Sequence, residues 1–129
     1  MKNIIIGILF ILALPLFSNG QSYVAHYIEP NHIKQDTLID KVTLVKFILD
    51  KDMIIITAID NNGKLLWKTD PAIDNKLGFY RVKRPIIIYF SFGIDRRTKT
   101  NQVIYITYNN SQFGEINEKS GRFTYEGQD

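Results

Sequence analysis

The chain has 129 residues, a formal net charge of +3, 45% hydrophobic and 12% aromatic residues, and no cysteine. That charge is too small to argue for nucleic acid or an acidic membrane surface as partner. The lack of cysteine excludes disulfide staples, thiolate metal ligands, a cysteine nucleophile and a lipid-modified cysteine.

Met1-Lys2-Asn3 is a short basic start, Ile4 to Phe17 is an almost unbroken apolar run, and Ser18-Asn19-Gly20 places small residues before Gln21. This is the layout of a cleavable secretory signal peptide. A retained anchor is the competing reading. The run is shorter than the ~20 residues that span a bilayer, and Pro15 lies inside it. The expectation is a signal peptide over 1–20 and a single β-rich domain over 21–129, secreted to the periplasm or the exterior and not membrane-spanning. One core can be self-sufficient at that length.

Tyr23 to Ile28 reads as a short strand broken by Glu29-Pro30-Asn31, because proline offers a sheet no donor. Asp36 to Leu49 is ambiguous. As a helix, Asp36 caps the first turn and Leu38, Val42, Val45 and Leu49 form an apolar stripe. The richness in Val, Thr, Ile and Phe favours a strand. Asp50-Lys51-Asp52 is then a turn into the clearest hairpin signal of the chain, Met53 to Asp70 (MIIITAIDNNGKLLWKTD), where Asn62-Gly63 can hold the positive φ angles of a tight reversal.

Asp70 to Gly78 reads as a polar loop and Phe79 to Val82 as a short strand. Ile86 to Phe92 (IIIYFSF) is apolar on both faces, as in a central strand. Gly93 to Asn101 is a polar loop, Val103 to Tyr108 a strand, Asn109-Asn110-Ser111 a turn, and Phe113 to Tyr125 two strands around Lys119-Ser120-Gly121. About seven to nine short strands between turn residues predict an all-β fold, a small antiparallel sandwich or compact barrel. The alternative is α+β, with a helix at 36–49 on an antiparallel sheet.

A two-layer sandwich wets the outer face of each sheet. Met53 to Ile59 and Ile86 to Phe92 carry large apolar residues on both faces, so something should cover the second face. The candidates are the 36–49 segment, a long loop or another protein chain.

AIDNNGKLLWK (Ala58 to Lys68) resembles the strand–turn–strand of a quinoprotein-type β-propeller repeat. A second echo is EINEKSGRFTYE (Glu115 to Glu126), where Gly121-Arg122 stands for Gly63-Lys64 and Tyr125 for Trp67. A propeller needs about four or more four-stranded blades, beyond the length of this chain, and so short a match implies no cofactor.

Trp67 would share a strand face with Leu65 and Thr69, opposite Lys64, Leu66 and Lys68, which makes it a core residue rather than a sugar platform. Of the basic residues, Arg81, Lys83 and Arg84 precede the 86–92 strand while Arg96, Arg97 and Lys99 follow it. Seven or eight residues at about 3.3 Å each keep the groups apart. The second group, on a loop, is the binding candidate. His26, Glu29 and His32 are spaced by three, but Pro30 argues against the helix that would gather them, so no metal site is assigned. Asp60-Asn61-Asn62-Gly63 lacks the later acid of a calcium loop.

No nucleophile–base pair is legible, and no catalytic residue is assigned. Asp60, Asp70, Glu115 and Glu118 leave a carboxylate-pair hydrolase as an alternative. The sequence points to a secreted, non-catalytic binding domain for a protein partner or another copy of itself, with a glycan-binding module as a further alternative. It implies no cofactor.

Overall fold

The structure is a computed structural model that describes residues 35–129. The signal-peptide reading over 1–20, the strand expected at Tyr23 to Ile28 and the His26, Glu29 and His32 trio lie outside the described residues.

The described residues form eight strands and one helical turn: β1 (Thr37–Ile39), β2 (Lys46–Leu49), β3 (Ile56–Ile59), β4 (Leu65–Thr69), α1 (Pro71–Asp74), β5 (Ile87–Ile94), β6 (Gln102–Tyr108), β7 (Gln112–Ile116) and β8 (Phe123–Gln128). They make two four-stranded antiparallel sheets with strand orders β1-β2-β3-β4 and β5-β6-β7-β8. Every strand therefore pairs with its neighbour in sequence. The architecture is the all-β sandwich, and the two sheets do not close into a barrel. Among the described residues no helix is long and apolar enough to cross a membrane.

The turns explain why the chain reverses where it does. In all six hairpins an Asp or Asn side-chain oxygen accepts backbone N–H groups of the turn. Asp40 takes those of Val42 and Thr43, Asp50 those of Ile54 and Ile55, and Asp60 those of Asn62 and Lys64. Asp95 takes those of Arg97 and Thr98, Asn110 that of Gln112, and Asn117 those of Lys119 and Ser120. Short polar side chains thus replace the ladder bonds that the reversing backbone gives up. Each turn also holds one residue at positive φ: Leu44, Met53, Gly63, Lys99, Ser111 or Gly121.

These turns correct several expectations. The segment 36–49 is neither a helix nor one strand. Asp40 reverses the chain after β1, with Leu44 at φ 58, and β2 pairs back onto β1. In the central hairpin only Gly63, not Asn62, takes positive φ. A register shift between Ala58 and Ile59 leaves Leu65 opposite Ile59 and Trp67 opposite Ala58, so Leu65 and Trp67 face opposite ways. Asp70 caps α1, accepting from the Ile73 N–H with Pro71 at the first turn, where a loop was expected. No strand forms at 79–82. That stretch is held instead by Asn110 and Gln112, whose amides donate to the carbonyls of Tyr80 and Gly78. β5 is an edge strand rather than a central one, and Ile88 is buried at a register shift between Ile87 and Tyr89.

The core lies between the sheets. Leu38, Phe47, Leu49, Ile56 and Ala58 come from the first, and Phe90, Ile104, Ile106, Tyr108, Ile116 and Phe123 from the second. Phe47 meets Phe92 edge-on across the interface at 6.0 Å and lies 5.7 Å from Trp67. The Trp67 indole N–H donates to the Glu118 carbonyl at 2.7 Å, fastening β4 to the β7–β8 turn. The Ile87 N–H donates to the Met53 carbonyl at 2.7 Å, a backbone bond between the sheets. Arg84 pairs with Asp70, tying α1 to the approach to β5.

Gly121 sits under Trp67. A Cβ there would lie 2.7 Å from the indole, and its φ is +71, whereas a Cβ at Gly63 (φ +82) would meet nothing within 4 Å. Gly63→Ala is therefore expected to cost about 1–2 kcal/mol, the strain of a left-handed backbone. Gly121→Ala should add an overpacking cost of about 1–3 kcal/mol. Urea unfolding of the two variants measures the difference, and equal losses would disprove the stacking of Trp67 on Gly121.

Candidate functional site

The outer face of the second sheet gathers the groups with the most chemical potential. The register sends Tyr105, Glu115 and Thr124 outward in one row, with Thr107 and Phe113 in the next. A register shift between Phe113 and Gly114 opens β8 so that Glu126 lies near Glu115. Over this face folds Arg96 from the β5–β6 turn. Its guanidinium stands 5.3 Å from the centre of the Tyr105 ring and 5.6 Å from that of Phe113. Both are cation–π distances. Arg96 Nη1 lies 3.2 Å from Glu126 Oε2, and the Arg96 backbone N–H donates to Glu115 Oε1 at 3.0 Å. The Tyr105 hydroxyl donates to the Ile94 carbonyl, holding the ring. A depression of ≈ 270 Å³ opens here, lined by Tyr89, Arg96, Tyr105, Phe113 and Glu126 among others.

Two carboxyls meet one guanidinium in this arrangement. Burial raises the Glu126 pKa above its ordinary value, and the adjacent Glu115 raises it further, while Arg96 opposes both. Glu126 Oε2 is buried and makes no hydrogen bond of good alignment. Glu115 is only 6% exposed. The contact between Tyr105 and Arg96, then the charge of Glu126, raise the Arg96 pKa, so the guanidinium stays charged.

Of the three sequence-predicted binding residues, Arg96 alone enters the depression. Arg97 and Lys99 are exposed on the turn, where their backbone N–H groups bond to Asp95. The other basic group is separate: Arg84 pairs with Asp70 and Arg81 lies over Tyr80 at 4.7 Å. Asp60 caps a turn, Asp70 caps α1, and Glu118 accepts from the Gln102 side chain. Glu115 finds its partner in Glu126, which sequence reasoning did not single out. The signal for it was the pair of glycines, Gly114 and Gly127, beside the β7–β8 irregularity. The two carboxyls are neighbours, and Glu115 adds to the upward shift of the Glu126 pKa. Glycosidases separate theirs by about 5–5.5 Å or about 6.5–9.5 Å. Among the described residues no group of three His, Cys, Asp or Glu side chains could hold a metal ion.

The outer face of the first sheet is different. Its outward rows are Ile39, Lys46, Ile59 and Leu65, then Thr37, Ile48, Thr57 and Lys68. Ile39 is 46% exposed, Leu65 56% and the bulge residue Leu66 47%. The apolar second face anticipated from Met53 to Ile59 thus remains open to solvent, and its charges are lysines. Trp67 and Tyr108 face the core, and the aromatics that line the depression on the second sheet are Tyr89, Tyr105 and Phe113.

Comparison of the chain with known protein families, with curated proteins and with solved structures finds no match.

Glu126 makes stability depend on pH. Below the ordinary carboxylate range it is protonated in both folded and unfolded chains. As pH rises, the unfolded chain releases its proton first, so the folded chain binds more protons and loses stability through that window. Glu126→Gln removes this proton. Relative to wild type, the variant should gain stability as pH rises through and above the ordinary carboxylate range near about 4 in urea titrations. A constant difference across that range would show that Glu126 ionises as a free carboxylate.

Proposed function

We propose that this chain is a secreted, non-catalytic interaction domain that binds a protein surface, a partner or another copy, through the outer face of its first sheet. The observation that carries the reading is the apolar side chains of that face: exposed Ile39 on β1, half-buried Ile48 and Ile59 on β2 and β3, and exposed Leu65 with the bulge residue Leu66 on β4, with Lys46 set among them. Clustered apolar surface of this kind is what protein contacts bury. A glycan is the second reading, supported by the Tyr89, Tyr105 and Phe113 rings around the depression on the other sheet.

Leu65→Glu tests the first reading, because Leu65 is exposed and the substitution leaves the core intact. The immobilised chain should retain a protein from a cell-envelope extract, or a second copy of itself, through a high-salt wash. The variant should bind the same species about tenfold or more weakly, since a charge would be buried against an apolar surface. Equal retention by both, with wild type monomeric, would overturn the reading.

A further inference from the structure

We infer that the two free sheet faces bind each other head to tail, the outer face of the first sheet in one copy packing on the outer face of the second sheet in the next. This rests on the interaction reading and names the partner as a second copy of the chain.

The two sheets correspond in strand register, apart from their bulges and a β7–β8 turn one residue longer than the β3–β4 turn. The Asp60 N–H donates to the Lys64 carbonyl and the Gly63 N–H to the Asp60 carbonyl. In the second sheet the Asn117 N–H donates to the Arg122 carbonyl and the Gly121 N–H to the Asn117 carbonyl. Ile59 and Ile116, each preceding its turn, therefore occupy the same place. From there the register matches Ile39, Lys46, Ile59 and Leu65 with Phe92, Ile104, Ile116 and Phe123. Backbone chirality and the bonding pattern fix which face of an antiparallel ladder a side chain takes. The matched rows thus lie on the same face of their sheets.

In the second sheet this face turns inward, with Ile104 and Ile116 at 0% exposure. In the first it turns outward. The opposite face behaves conversely. Leu38, Phe47, Ala58 and Trp67 point into the core, while their counterparts Ser91, Tyr105, Glu115 and Thr124 point out. The sheets are therefore stacked the same way round, and the contact between them joins unlike faces. The stack leaves one face of each kind free, at its two ends. Another copy can repeat the same kind of joint, whereas a two-fold dimer would pair like with like.

The free faces differ in chemistry. The first carries Lys46 and Lys68 and no acid among its outward strand positions, whereas the carboxyls of the second lie largely buried under the exposed Arg96 guanidinium. The second carries Glu115 and Glu126 with Arg96 folded between aromatic rings, and a buried Glu126 oxygen that lacks a hydrogen bond. The Phe47–Phe92 contact inside the molecule has as its counterpart across the joint Tyr105 of one copy against Ile39 of the next. The depression beside Tyr105 and Phe113 offers room for aliphatic side chains from the first sheet. Such a heterologous joint closes into a ring or runs on as a filament, according to the rotation at each step.

The absence of cysteine permits a direct test. Ile39→Cys places a thiol on the outer face of the first sheet and Tyr105→Cys on that of the second, at the two positions that meet across the joint. Because facing sheets lie about 10 Å apart, beyond the reach of a disulfide, a short bifunctional maleimide should link the mixed single variants through unlike chains, and each alone should link little. Sedimentation velocity should show wild-type association that grows with concentration, and Leu65→Glu should weaken it about tenfold or more. Links only between like chains would overturn the head-to-tail joint, as would a wild-type monomer at every concentration. If that monomer still retained another protein in a Leu65-dependent way, the interaction reading would survive and only this inference would fail.

Discussion

Trp67 sits at the joint on which the sandwich depends. Its ring lies beside Phe47 of its own sheet and over Gly121 of the other, and its N–H reaches the Glu118 carbonyl. An indole that buries about 150 Å² contributes roughly 4 kcal/mol from apolar area alone, as an upper estimate. The hydrogen bond adds direction to that attraction, because it is satisfied only when the β7–β8 turn comes to rest above β4. Register within each sheet, the bulge at Ala58 and Ile59, and the positive φ of Gly121 all serve this placement. One ring thereby sets how the sheets face each other, and with it which faces are left open.

Much of the fold was legible because turn chemistry is local. Asp60 and Gly63 or Asn117 and Gly121 announce a reversal in a few residues, and the apolar runs between them have strand length. The inward role of Trp67 was legible too, although the reason offered for it, a face shared with Leu65, was overturned by the bulge. The break at 40–44 was hidden because Val42 and Thr43 favour strands and Leu44 takes positive φ without being glycine. β5 looked central because both its faces are apolar, yet burial of Ile88 at a register shift needs no strand on the far side. Of the surface site, the sequence showed a basic loop. It could not show that Arg96 turns back over Tyr105 while Arg97 and Lys99 do not. That choice depends on Glu126, brought near by an irregularity between strands. The echo between Glu115–Glu126 and the central hairpin falls on the last hairpin of each sheet, but differing bulges put Thr124 rather than Tyr125 in the place of Trp67.

The two outer faces meet their surroundings differently. On the second sheet, aromatic rings are partly roofed by a guanidinium, and the carboxyls beneath it sit in a setting that disfavours their charge. On the first, Ile39 and Leu65 stand open and Ile59 is half-buried, with Lys46 and Lys68 as the charges of the face.

The pairing of every strand with its sequence neighbour has a kinetic consequence. Each sheet is a succession of hairpins closed by short capped turns, so its backbone ladder can assemble from local contacts without first closing a long loop. What joins the sheets is chiefly side-chain packing, together with isolated bonds such as those from Trp67 to Glu118 and from Ile87 to Met53. The molecule is thus divided into two cooperative units whose docking is the non-local event. Partial opening at that seam would separate two intact sheets rather than unravel either one.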